Sequence, residues 1–221
     1  MNTYIQRRGA LQFKLRNDTL DEYMLNEALM PREYVKPMQL RRGDVVLDIG
    51  MNIGGFSIFA DFIGAKLISY EPDPSNYEIA CDNIELNNSK VKAYNKAVAD
   101  KSGTISFYIN TLKNRGVHSI IPTNGRKVLS VECEDINEIL KRESPNKIKI
   151  DCEGAEYSII KAVKEWGSVR LIRMEWHRKM LKDESNEKLD EVWDILLHAG
   201  FRIKGKRNGR GWVQMLTAER A

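Results

Sequence analysis

Residues 45–50 read VVLDIG, an unbroken apolar run with one charge that ends in turn residues. Strict alternation would mark a strand with one wet face. A continuous run marks a strand buried on both faces, and such strands lie in parallel sheets covered by helices. Asp48 inside that run must find a cation or hydrogen-bond donors, because a bare buried carboxylate is costly.

The same rhythm continues along the chain. Phe56, Phe59 and Ile63 fall at helical spacing. KLISYEP predicts a second strand, and Tyr77, Ala80, Cys81 and Ile84 mark a second amphipathic helix. VKAYNKAV reads as a third strand. TISFYI and KVLSVEC then predict two strands around a polar loop at 110–127, and DINEILKR a short helix capped near Asp135. KIKIDCEG returns to the buried-strand pattern, followed by a helix through Ile159, Ile160 and Val163. VRLIRMEW is the next strand, and Leu189, Val192, Trp193 and Leu196 mark a helix closed by Gly200. FRIKGKRNGRGWVQMLTA predicts an antiparallel hairpin around a basic turn. Ahead of all this, residues 1–44 read as a helical extension, with one helix in DTLDEYMLNEALM between a cap at Asp18 and a stop at Pro31. The expected division is therefore an extension (1–44) and one α/β domain (45–221). It has a mostly parallel sheet, helices on both faces and a C-terminal antiparallel hairpin.

A chain of 221 residues suits one such domain. No run of about eighteen apolar residues predicts a membrane span. The N-terminus lacks the apolar core of a secretion signal, so the expectation is cytoplasmic. Cys81, Cys133 and Cys152 suit neither a disulfide framework nor a zinc site. A net charge of +4 permits a nucleic-acid partner without arguing for one. Oligomeric state is not encoded in any visible pattern.

In open sheets, ligands sit beyond the carboxyl ends of the strands, where the strand order reverses. Those ends carry Asp48–Gly50, Glu71, Asn95–Ala97, Asp151–Glu153 and Glu175–His177. The loop Asp48-Ile-Gly50-Met-Asn52-Ile-Gly54-Gly55 follows the first strand. Its glycines allow a tight turn and close approach to a ligand. Glu71 ends the next strand, where this kind of fold presents an acid to a ribose diol, and Pro72 and Pro74 fix the loop after it. A dinucleotide would want G-x-G-x-x-G under its pyrophosphate, and Asp48 sits badly beside phosphate. S-adenosylmethionine (SAM) has no phosphate and carries an ammonium and a sulfonium. The expected cofactor contacts are Asp48, Gly50, Asn52, Gly54, Glu71, Pro72 and Ala97.

These residues resemble the FkbM family of SAM-dependent methyltransferases. The match runs through VVLDIGMNIGGFS (45–57), SYEPDPSNYE (69–78), NKAVADKSGTISFY (95–108), KIDCEGAEYSII (149–160) and EWH (175–177). It covers most of residues 20–177; beyond that only the general pattern is similar. Met51 stands where the family typically has alanine. The resemblance implies a Rossmann-like class I methyltransferase fold. It also implies methyl transfer, usually to a hydroxyl oxygen of a sugar or small natural product.

An alcohol is a poor nucleophile at neutral pH, so a positioned base would help. Asp151, Glu153, Glu175 and His177 are the candidates for catalysis, because they end the strands nearest the expected methyl. Glu156 reads as a helix-capping acid. Trp176 either stacks on a sugar or packs. His118 and the basic turn at 204–210 read as exposed, and His198 as a helix-end charge. Asp151, Glu153 and Glu175 are able to hold a divalent cation, but no ligand spacing demands one, so no metal site is assigned. The acceptor is expected to be a small molecule or glycan. A nucleic-acid methyltransferase on the same fold and a non-catalytic SAM-binding subunit are the alternatives.

Overall fold

The apolar run at 45–50 becomes the middle of a sheet. The computed structural model describes residues 2–109, 127–178, 185–205 and 213–221. In chain order, β1 (Thr3–Arg8) and β2 (Leu11–Arg16) precede α1 (Asp21–Leu29), a π-helical turn at Pro31–Val35, and α2 (Lys36–Met38). Next come β3 (Val45–Ile49), α3 (Gly55–Phe62), β4 (Lys66–Tyr70), α4 (Pro74–Leu86) and β5 (Lys92–Tyr94). They are followed by β6 (Ala97–Ala99), β7 (Gly103–Ile109), β8 (Lys127–Asp135) and α5 (Ile136–Glu143). The chain continues through β9 (Lys147–Ile150), α6 (Glu156–Ala162), β10 (Leu171–His177), α7 (Ser185–His198), β11 (Arg202–Lys204) and β12 (Val213–Glu219).

Among the described residues, the central sheet has seven strands in the order β11-β12-β10-β9-β3-β4-β5. β3 pairs in parallel with both β4 and β9, so the order reverses between β3 and β9. β12 runs antiparallel to β10 and β11, the expected terminal hairpin. Its tip, like His118 and most of the 110–127 loop, lies outside the described residues. Leu47, Ile49, Ile148, Ile150 and Ile172 are buried within the sheet, and Ile159, Ile160, Leu189, Val192 and Leu196 seal one layer against it. α7 closes as expected: Gly200 is left-handed at φ 84°, and the amide of Phe201 reaches back to the carbonyl of Leu196. Asp135 caps α5 by accepting from the amide of Asn137 at 2.7 Å. No helix among the described residues is long and apolar enough to cross a membrane.

Three expectations need correction. VKAYNKAV is not one strand. β5 belongs to the central sheet, whereas β6 joins a separate sheet of order β6-β8-β7. The break falls at Asn95, whose Nδ2 donates to the carbonyl of Glu71 at 2.8 Å and pulls the chain out of register. Residues 1–44 also contain more than helix, since β1 and β2 form an antiparallel hairpin. Leu11, Phe13 and Leu15 bury one face of it with Leu25, Ile53 and Ile58. Arg16 ties the hairpin down, binding both oxygens of buried Asp21 and also Asn76 on α4. Asp18 is not the cap of α1; it lies outside the helix at φ 58°, and Thr19 Oγ1 accepts from the Asp21 amide instead.

Candidate active site

The strand ends open into a cavity of about 830 Å³, counted to its mouth. Gly50, Asn52, Glu71, Pro72, Ala97, Asp151, Glu153 and Glu175 all line it. Tyr70, Val98 and Phe107 give it an apolar side, and Met24 and Glu27 reach it from α1. His177 is buried beside the three carboxylates, with Nε2 3.4 Å from Glu153 and 3.9 Å from Asp151. Asp48 and Gly54 are not on the cavity wall.

Gly50 is required by the fold itself. Its φ is 87°, and an added Cβ would lie 1.7 Å from the backbone carbonyl of Asp151. The close approach is between the ends of β3 and β9, at the point where the strand order reverses. Gly54 is the left-handed cap of α3, and a Cβ there would press on Ile58 at 3.1 Å rather than on the cavity. The sequence reading gave both glycines to ligand approach; the structure gives both a packing reason. Met51 points away as well, buried with Tyr34, Met38 and Phe56.

Asp48 is fully buried, and the protein answers both its oxygens. Ser57 Oγ donates to one at 2.6 Å and Lys149 Nζ to the other at 3.1 Å. Burial pushes its carboxyl up, while Lys149 and Ser57 pull it back. Lys149 is held cationic against its own burial by Asp48 and Asp151, and also donates to the carbonyl of Gly50 at 2.9 Å. The expected contact of Asp48 with an ammonium group therefore becomes an internal ion pair beneath the cavity floor.

Glu71 lines the cavity just after β4. One oxygen accepts from the amide of Asn52 at 2.8 Å and the other from the amide of Asp73 at 3.0 Å. Each keeps a lone pair for a ligand hydroxyl. Burial pushes its carboxyl up to about 7 despite those amides.

The ends of β9 and β10 are different. Tyr34 Oη, from the π-helical turn, lies 2.9 Å from Asp151 Oδ2 and 2.8 Å from Glu175 Oε2. His177 Nδ1 lies 2.7 Å from Glu156 Oε1, which also accepts from the Gly154 amide at 3.0 Å. Glu156 does not cap α6 in the way the sequence suggests; it is the first residue of the helix, its carboxylate turns back to the Gly154 amide ahead of it, and it anchors the imidazole. Burial alone would lower His177, but Glu156, Glu153 and Asp151 raise it to about 11. An imidazole held protonated in this way is a poor base. Burial lifts Glu153 to about 8 and Glu175 to about 7, the latter helped by Asp151. Glu153 also has φ 54°, a left-handed conformation costly for a residue with a Cβ. Trp176 is fully buried and packs; it offers no face to a sugar.

Lys149, Tyr34 and Glu27 were missed by sequence reasoning. Lys149 had a signal. It breaks an apolar strand two residues before Asp151, as Asp48 does two before Gly50, and parallel pairing sets the two opposite each other. Tyr34 and Glu27 had none, since they arrive from the N-terminal segment.

The strand order and the cavity at its reversal are those of a class I SAM-dependent methyltransferase fold. A tRNA (uracil-54, C5)-methyltransferase from Pyrococcus abyssi, solved with S-adenosyl-L-homocysteine, aligns over 98% of this chain and 43% of its own. The TM-score is 0.52 at 13% identity, a likeness of fold alone. The methyltransferase FkbM domain matches residues 48–203, and the chain belongs to that family. A hexuronic acid methyltransferase, AglP of Haloferax volcanii, is 24% identical over 120 residues, 54% of this chain and 50% of that protein. The 31-O-demethyl-FK506 methyltransferase FkbM of Streptomyces tacrolimicus is 29% identical over 102 residues, 44% of this chain and 39% of its own length. The chain thus spans half or less of these two relatives.

Proposed function

We propose that this chain is a SAM-dependent O-methyltransferase acting on a hydroxyl of a sugar, a glycan or another small molecule. The observation that carries the reading is that Glu71 and the carboxylates of β9–β10 share one cavity at the strand-order reversal. Family membership and the two relatives, named for a hexuronic acid and for a demethylated FK506, favour a small hydroxylated acceptor.

In this reading Glu71 accepts from the ribose hydroxyls. The adenine lies against Tyr70, Ala97, Val98 and Phe107, near Pro72. Gly50 and Asn52 carry the turn of the cofactor towards Asp151. Asp48 and Gly54 act from below, one by holding Lys149 and the other by capping α3. The acid end suits a sulfonium, which loses its positive charge during transfer. The methyl carbon leaves sulfur and joins the acceptor oxygen in line. The hydroxyl proton passes to the carboxylate of Asp151, and S-adenosylhomocysteine departs. His177 and Tyr34 orient that carboxylate.

Asp151→Asn keeps the shape of the site but weakens its proton acceptance. The expected result is near-native SAM affinity by calorimetry. Single-turnover transfer of labelled methyl to a panel of hexuronic acids, hexoses and macrolide alcohols should fall by about 10²–10⁴-fold. Native turnover in the variant would contradict the role.

A further inference from the structure

Asp151 follows β9, and Glu175 and His177 lie two apart on β10, so the latter pair share one face of their strand. One ligand atom from each of the three lies within 4.8 Å of the others. His177 Nε2 is 3.6 Å from Glu175 Oε1 and 3.9 Å from Asp151 Oδ1. Donor atoms about 2.1 Å from one ion stand roughly 3–4 Å apart, so these spacings leave room for a cation between them.

Two further observations point the same way. The His177 side chain is only 7% exposed, and its hydrogen bond is at Nδ1, to fully buried Glu156; Nε2 is aimed into the cluster. A carboxylate on one ring nitrogen, with the other presented to a cluster of donors, is how proteins orient a metal-binding imidazole. Then there is sharing of donors: Lys149 Nζ, 3.6 Å from Asp151, also pairs with Asp48. Asp151 and Glu175 both stand at hydrogen-bond distance from the single Tyr34 hydroxyl, which has one hydrogen to give.

We propose that Asp151, Glu175 and His177 bind one divalent first-row transition-metal ion, which takes the place of the proton on His177 Nε2 and releases it to solvent. A mixed nitrogen and oxygen donor set suits such ions better than calcium or magnesium. The site stands on its own geometry; only its role rests on the O-methyltransferase reading. In that role the ion neutralises the acid face and acidifies an acceptor hydroxyl next to it.

The test uses the full chain, stripped with a chelator and titrated with Mn²⁺ under electron paramagnetic resonance. The expected result is one bound Mn²⁺ per chain, with electron spin-echo modulation from one imidazole nitrogen. Glu175→Gln and His177→Ala should each weaken it by roughly tenfold or more, and Glu156→Gln by about 10–100-fold, while SAM affinity by calorimetry persists. The nitrogen signal in the unaltered protein needs no variant to fold. No binding at millimolar Mn²⁺, binding without nitrogen modulation, or equal binding by the folded variants overturns the proposal. Mn²⁺ binding without SAM binding would sink the methyltransferase reading and leave the ion site standing. SAM binding without Mn²⁺ would do the reverse.

Discussion

The cavity is bounded by two pairs of strand ends that treat carboxylates in opposite ways. Beside β3 and β4 the fold answers each one: Asp48 through Lys149 and Ser57, Glu71 through two backbone amides. Beside β9 and β10, Asp151, Glu153 and Glu175 gather around one imidazole, Asp151 shares Lys149 with Asp48 at 3.6 Å, and Asp151 and Glu175 compete for one tyrosine hydroxyl. Crowding like charges costs stability, so an arrangement of the second kind persists where something else offsets it. On the proposed reading, the first pair is a preformed half-site and the second is completed by what it binds.

The largest effect is expected where the two sides meet. Lys149→Met leaves Asp48 buried without its cation and should cost about 3–5 kcal/mol in urea unfolding. A loss below about 1 kcal/mol would mean the ion pair does not join the halves. Gly50→Ala should cost about 3 kcal/mol, because the new Cβ meets the rigid carbonyl of Asp151. Near-native stability would show that the β3–β9 junction yields easily.

Effects confined to one side come next. Glu71→Ala should weaken SAM by tenfold or more, since hydrogen bonds to a charged group contribute about 1.5–3 kcal/mol. Equal affinity in calorimetry would remove Glu71 from the cofactor site. Glu175→Gln relieves the crowding of like charges. It should leave stability unchanged or raise it by about 0.5–2 kcal/mol, while methyl transfer slows. A clear loss of stability in thermal unfolding would show that this carboxylate is satisfied after all, and the contrast between the sides would fail.

The β3–β4 side was largely legible in the sequence. Burial on both faces writes itself as an apolar run, and a lone acid at the end of such a run stands out, as Asp48 and Glu71 do. The β9–β10 side was legible as a set of acids but not as an arrangement. Tyr34, which links Asp151 and Glu175, lies 117 and 141 residues from them, and no local pattern announces such a contact. The split between β5 and β6 was hidden because apolar alternation continues through Asn95, and the break depends on its hydrogen bond to Glu71. The N-terminal hairpin did leave a trace: Leu11, Phe13 and Leu15 alternate with polar residues and all three are buried.

The division of labour between the two sides is tested most directly by a crystal structure with S-adenosylhomocysteine bound. The account predicts both ribose hydroxyls within hydrogen-bond distance of the Glu71 carboxylate, adenine against Val98 and Phe107, and the sulfur turned towards Asp151 and Glu175. A nucleoside seated instead among Asp151, Glu175 and His177, with Glu71 bound only to its two amides, would contradict it.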